Sequence, residues 1–91
     1  MAVIVVISAS GESGAVDVNG DAKVSLQAGA DEVTIEWMAD EAGTYQFQVG
    51  SPPVSLASET VSANAVTFTV LTIEAGDLDE GSNELSIVKA T

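Results

Sequence analysis

The chain has 91 residues, 46% of them hydrophobic and only 4% aromatic, with 14 carboxylates against two lysines and a formal net charge of −12. That length holds one domain with one mostly aliphatic core, residues 1–91, and enough apolar content to exclude a disordered chain. The charge disfavours nucleic acid and anionic membrane surfaces, and the lack of cysteine, histidine and arginine excludes disulfides, zinc–thiolate sites, ordinary nucleophile–base pairs and bidentate phosphate clamps.

The N-terminal run "AVIVVIS" lacks a basic leader and is too short for a signal peptide or a bilayer span. It reads as a β-strand that stays in the mature protein, apolar on both faces like a strand covered on both sides. Asn19-Gly20 in "VDVNGDAKV" predicts a two-residue hairpin. "AKVSLQA" then places Val24, Leu26 and Ala28 on one face, and "DEVTIEW" turns Val33, Ile35 and Trp37 inward with Thr34 and Glu36 outward. "MADEAG" turns the chain into "TYQFQV", where Tyr45, Phe47 and Val49 share a face.

Ser51-Pro52-Pro53 ends that strand, because proline cannot donate to a ladder. "PVSLASETVS" reads as a short strand and a loop. In "AVTFTVLTI", Val66, Phe68 and Val70 alternate onto one face, expected to be the core, while Leu71 and Ile73 fall on the other and suggest a bulge near Leu71. "EAGDLDEGSN" is a turn-rich corner and "ELSIVKA" the last strand. Seven or eight short strands, with turn signals about every 8–12 residues, predict an all-β antiparallel sandwich.

"VTIEWMADEAGTYQFQVG" resembles the B–C hairpin of bacterial immunoglobulin-like and fibronectin type III-like domains. "VTFTVLTIEAGDLDEGSNELSIV" resembles their E–F corner, with Leu78, Gly81, Asn83, Leu85 and Ile87 in the characteristic places. An alternative register, the tyrosine corner of antibody-type domains, would require cysteine where Phe47 stands, and Trp37 is too near to be that family's strand C tryptophan. The resemblance implies an Ig-like β-sandwich. It departs from the family at both ends: no strand follows "ELSIVKAT", and an additional apolar strand, residues 1–8, precedes the first hairpin. That strand either completes its own sandwich, as in a permuted domain, or adds to a neighbouring subunit. In the second case Val3, Val5, Ile7, Leu85 and Ile87 would form the subunit interface of a homo-oligomer such as a trimer.

Candidate chemistry is sparse. Asp17, Asn19 and Asp21 have calcium-loop spacing, but Ala22 and Ala28 stand where the loop needs Gly and Glu, so they read as solvated turn residues. Asp77, Asp79, Asn83 and Glu84 share an acidic corner, and Asp31-Glu32 with Asp40-Glu41 would flank one end of the same hairpin. Lys23 and Lys89 fall at outward positions of alternating strands, which disfavours Ser–Lys chemistry. No catalytic, cofactor or metal residue is expected. Trp37 and Tyr45 are in phase with the core, where the indole N–H would reach a backbone carbonyl; an exposed pair would instead offer a sugar platform. Small Met-initiated sandwiches of this kind resemble the decoration (cement) proteins of tailed-phage virions. The resemblance implies a non-enzymatic structural protein on a virion surface, docked to protein partners in a larger assembly. The alternatives are an extracellular carbohydrate-binding or adhesion module, or a strand-exchanging surface filament subunit.

Overall fold

The computed structural model describes residues 2–11, 16–29, 31–50, 52–74, 78 and 82–90. Eight strands form: β1 (Ile4–Gly11), β2 (Val16–Val18), β3 (Lys23–Gln27), β4 (Glu32–Ala39), β5 (Gly43–Val49), β6 (Val54–Val61), β7 (Thr67–Thr72) and β8 (Ser82–Lys89). They pair antiparallel into a smaller sheet, β1-β4-β7, and a larger one, β2-β3-β8-β5-β6. The protein is an all-β structure of two antiparallel sheets, as a β-sandwich requires.

Alternation dictates which side chains meet between the sheets. Val33, Ile35, Trp37 and Ala39 of β4 point inward from the smaller sheet. Val24 and Leu26 of β3, Tyr45, Phe47 and Val49 of β5, and Leu85 and Ile87 of β8 point inward from the larger one. Leu85 and Ile87 are therefore core residues that present no surface to another subunit, contrary to their expected place in an interface. Both aromatic neighbours of Trp37 meet it edge-on, with centroids 5.4 Å away for Tyr45 and for Phe47, the arrangement a ring quadrupole favours.

The N-terminal strand closes its own sheet. β1 pairs with β4 from Ile4 opposite Ala39 to Gly11 opposite Val33, and buries Ile4 and Val6. On its other edge the Val6 N–H donates to the Asp21 carbonyl at 2.8 Å, while the Ile87 N–H donates to Ala22 at 2.9 Å. The 21–22 loop thus ties the edge of the smaller sheet to β8 of the larger one. A register shift between Val6 and Ser8 turns both Ile7 and Ser8 outward, the two-against-one geometry of a bulge.

Local expectations are corrected at four places. The β2–β3 turn is longer than two residues: the Asn19 N–H donates to the Lys23 carbonyl, leaving Gly20, at a φ of 118°, Asp21 and Ala22 as the loop. β4 and β5 do not form a hairpin but cross from one sheet to the other, as β7 and β8 do. Since β4 neighbours β7 and β5 neighbours β8, the two crossings interlock. The "PVSLASETVS" segment is a full strand, β6, at the edge of the larger sheet; its burial changes phase at Leu56, the extra residue of a bulge opposite Phe47 and Gln48. In β7 the expected phase is inverted: Thr69, Leu71 and Ile73 face the core, Val66, Phe68 and Val70 face out, and no register shift occurs near Leu71.

Candidate functional site

The inversion of β7 makes the outer face of the smaller sheet apolar. Val3, Val5 and Ile7 come from β1 and the residue before it. Val66, Phe68 and Val70 come from β7 and its approach, and half-buried Met38 lies between them on β4. Val5 stands opposite Met38, and Phe68 stands opposite Glu36. Phe68 is 64% exposed, and Val3, Val66 and Val70 are 54%, 51% and 55% exposed, which is unusual for large apolar side chains gathered on one sheet face. The two apolar rows flank β4, about 10 Å apart at the usual strand spacing, with Met38 bridging them at one end and Glu36 and Thr34 between them.

The outer face of the larger sheet has the opposite character. Ser25, Glu84, Ser86, Gln46 and Gln48 are directed outward from β3, β8 and β5, and the Gln48 amide donates to Gln46 at 3.0 Å. A groove of about 460 Å³ runs beside Gln48, Pro53, Asn83, Glu84, Ser86 and Val88. Glu84 is the one titratable group among those residues, and it accepts from Asn19 and pairs with Lys23 at 3.6 Å. Among those residues Glu84 has no second carboxyl beside it to complete a pair of the glycosidase type.

Both lysines belong to the larger sheet. Lys23 on β3 pairs with Glu84 and Lys89 on β8 with Glu41, each at 3.6 Å and each partly exposed, so neither contact adds much stability. On the smaller sheet the outward carboxylate nearest the patch centre is Glu36, which accepts from the Ser8 hydroxyl at 3.1 Å.

The other candidates separate. Trp37 and Tyr45 are fully buried, so neither presents a ring to a sugar. The indole donates to the Thr69 hydroxyl at 2.9 Å, not to a backbone carbonyl. The Tyr45 hydroxyl donates to the Glu41 carbonyl at 2.6 Å, and burial, followed by the nearby Glu41 and Asp40 carboxylates, raises its pKa above the ordinary 10.0. Asp31-Glu32 and Asp40-Glu41 lie at opposite ends of β4, about 26 Å apart at the usual rise of a strand, and form no shared acidic cluster. Asp40 accepts the Val3 N–H at 2.7 Å. Asp77 and Asp79 of the acidic corner lie outside the described residues, and among the described residues no group of acids is arranged to hold a metal.

Sequence reasoning missed the apolar face because β7 alternates two acceptable rows. The signal that could have found it is Leu71 and Ile73, whose phase includes Thr67 and Thr69 and excludes Phe68. No protein-family model, curated protein or solved structure matches the chain.

Proposed function

We propose that this chain is a non-enzymatic structural protein, an immunoglobulin-like sandwich that docks on a larger assembly and stabilises it, as a capsid decoration protein does. The observation that carries the reading is the contrast between the two outer faces: one polar and amide-rich, the other apolar around Phe68. An apolar sheet face gathered on one side of so acidic a chain is a surface to be covered. The strand order supports the immunoglobulin-like part. With β1, β4 and β7 taken as strands A, B and E, and β5, β6 and β8 as C, C′ and F, β3 occupies the place beside F that strand G normally fills. The assembly we favour is a virion shell, with a cell-surface scaffold as the second setting.

A photo-crosslinking residue placed at position 68, and a control at position 46 on the polar face, test the proposal in the native cells or particles. The expected result is a link from position 68 to a repeating subunit of a sedimenting particle or filament, with none from position 46. Equal labelling from both faces, or no link to any particle from position 68, would overturn it.

A further inference from the structure

Resting on that docking reading, we propose that the partner is a protein surface carrying an apolar patch with a lysine or arginine aimed at Glu36. Glu36 is then the residue that selects this partner and keeps copies of the chain from closing on one another. Its position makes the case. It lies on β4, the middle strand of the smaller sheet, opposite Ser8 on one side and Phe68 on the other, with Met38 and Thr34 next along its own row. A carboxylate therefore sits inside the apolar face, half-buried, with the Ser8 hydroxyl donating to it.

In the free protein, water can satisfy the rest of that carboxylate. A partner that covers Phe68 and Ile7 strips this water away, and a dehydrated carboxylate needs a cation or several donors in return. Neither lysine of this chain stands beside Glu36: Lys23 and Lys89 both belong to the larger sheet, where they pair with Glu84 and Glu41. A second copy paired face to face supplies none either. In a two-fold pairing the same patch faces itself, so two Glu36 side chains would enter one dehydrated layer between bodies that each carry a net charge of −12. A basic partner is favoured twice: it is steered by the long-range field of the acidic chain, and it pairs with Glu36 at contact.

Patch size points the same way. The exposed fractions of the six large apolar residues amount to an area on the order of 500 Å². A stable interface of standard size covers about 800 Å² per partner, so the apolar patch would form its centre and polar contacts around it, Glu36 among them, would complete it.

The test uses the full chain, with its own Glu36→Lys variant as surrogate partner, because that variant presents the same apolar face with a cation at its centre. Sedimentation equilibrium is run at about 0.15 M salt, where general repulsion is screened beyond about 8 Å. Wild type alone should stay monomeric. An equimolar mixture with the variant should form a heterodimer at least tenfold tighter than either chain's self-association. Phe68→Ser in either chain should abolish that dimer. Glu36→Gln alone should associate more than wild type but less than the mixture, because it removes the repulsion without adding a cation. A Glu36→Gln chain that associates as tightly as the mixture would overturn the requirement for a cation. Wild type that dimerises alone, and loses this with Phe68→Ser, would overturn the basic partner while leaving the docking face standing. No association in the mixture, with both chains folded by circular dichroism, would overturn the pairing of Glu36 with a cation on an apolar partner, while crosslinking from position 68 decides the docking reading separately.

Discussion

Inside the core, the Trp37 indole N–H donates to the Thr69 hydroxyl at 2.9 Å, and this bond explains why a threonine is buried in β7 where an aliphatic residue would otherwise be expected. It joins the two adjacent strands β4 and β7 through side chains as well as through their ladder. Thr69→Val keeps the shape and leaves the indole N–H unpaired, so it should cost about 1–3 kcal/mol. Thr69→Ser keeps the oxygen and loses a methyl, which should cost about 0.5–1.5 kcal/mol. Urea unfolding of both variants checks the order; a valine variant as stable as wild type would show that the bond contributes nothing.

Tyr45 makes a parallel prediction with a pH signature. Its pKa is raised by burial first and then by Glu41 and Asp40, so the folded state holds the phenolic proton more tightly than the unfolded state. A raised folded value means the stabilising contribution is fully present below the ordinary 10.0 and is lost as pH climbs through the folded value. Tyr45 is the single tyrosine, so its ultraviolet titration is unambiguous. The native midpoint should lie above the denatured one, and Tyr45→Phe should remove the tyrosine-linked part of the fall in stability. A native midpoint at or below the denatured value would contradict the environment described.

The strands themselves were legible because period-two alternation, Asn-Gly, Pro-Pro and the acidic turns mark where extended segments start and stop. In β4 and β5 the phase was legible too, since Thr34, Glu36, Gln46 and Gln48 leave one apolar row. In β7 it was not. Alternation reports that two rows exist, but which row is covered depends on the opposing sheet and on a partner such as the Trp37 N–H, and neither is local. β1 misled in a related way: apolar on both faces, it read as covered twice, whereas Val5 and Ile7 remain 40% and 47% exposed. The apolar face could not be read from any one segment, because its rows come from strands about 60 residues apart that only the sheet order brings together.

The two phenylalanines should separate sharply on substitution. Phe47 is fully buried against Trp37, and Phe47→Ala should cost about 3–5 kcal/mol. Phe68 is mostly exposed, and Phe68→Ser should leave the isolated chain within about 0.5 kcal/mol of wild type. Denaturant midpoints decide this directly. Equal losses at the two positions would mean that Phe68 belongs to the core after all.

Removing residues 1–8 should unfold the domain. The truncation strips the first five residues of β1 from β4, takes away the buried side chains of Ile4 and Val6, and opens the β4 edge from Glu36 to Ala39, beside Trp37. Each lost side chain accounts for about 1.5–3 kcal/mol of burial before the ladder is counted, against a total stability of about 5–15 kcal/mol for a domain. The truncated chain should therefore show no cooperative transition and should bind an apolar dye. A synthetic peptide of residues 2–11 should restore the fold, because it supplies the same strand without the covalent link. The opposite result, a truncated chain that unfolds cooperatively with native tryptophan fluorescence, would mean that β1 is an ornament on a core complete without it. The strand would then be free for exchange between subunits.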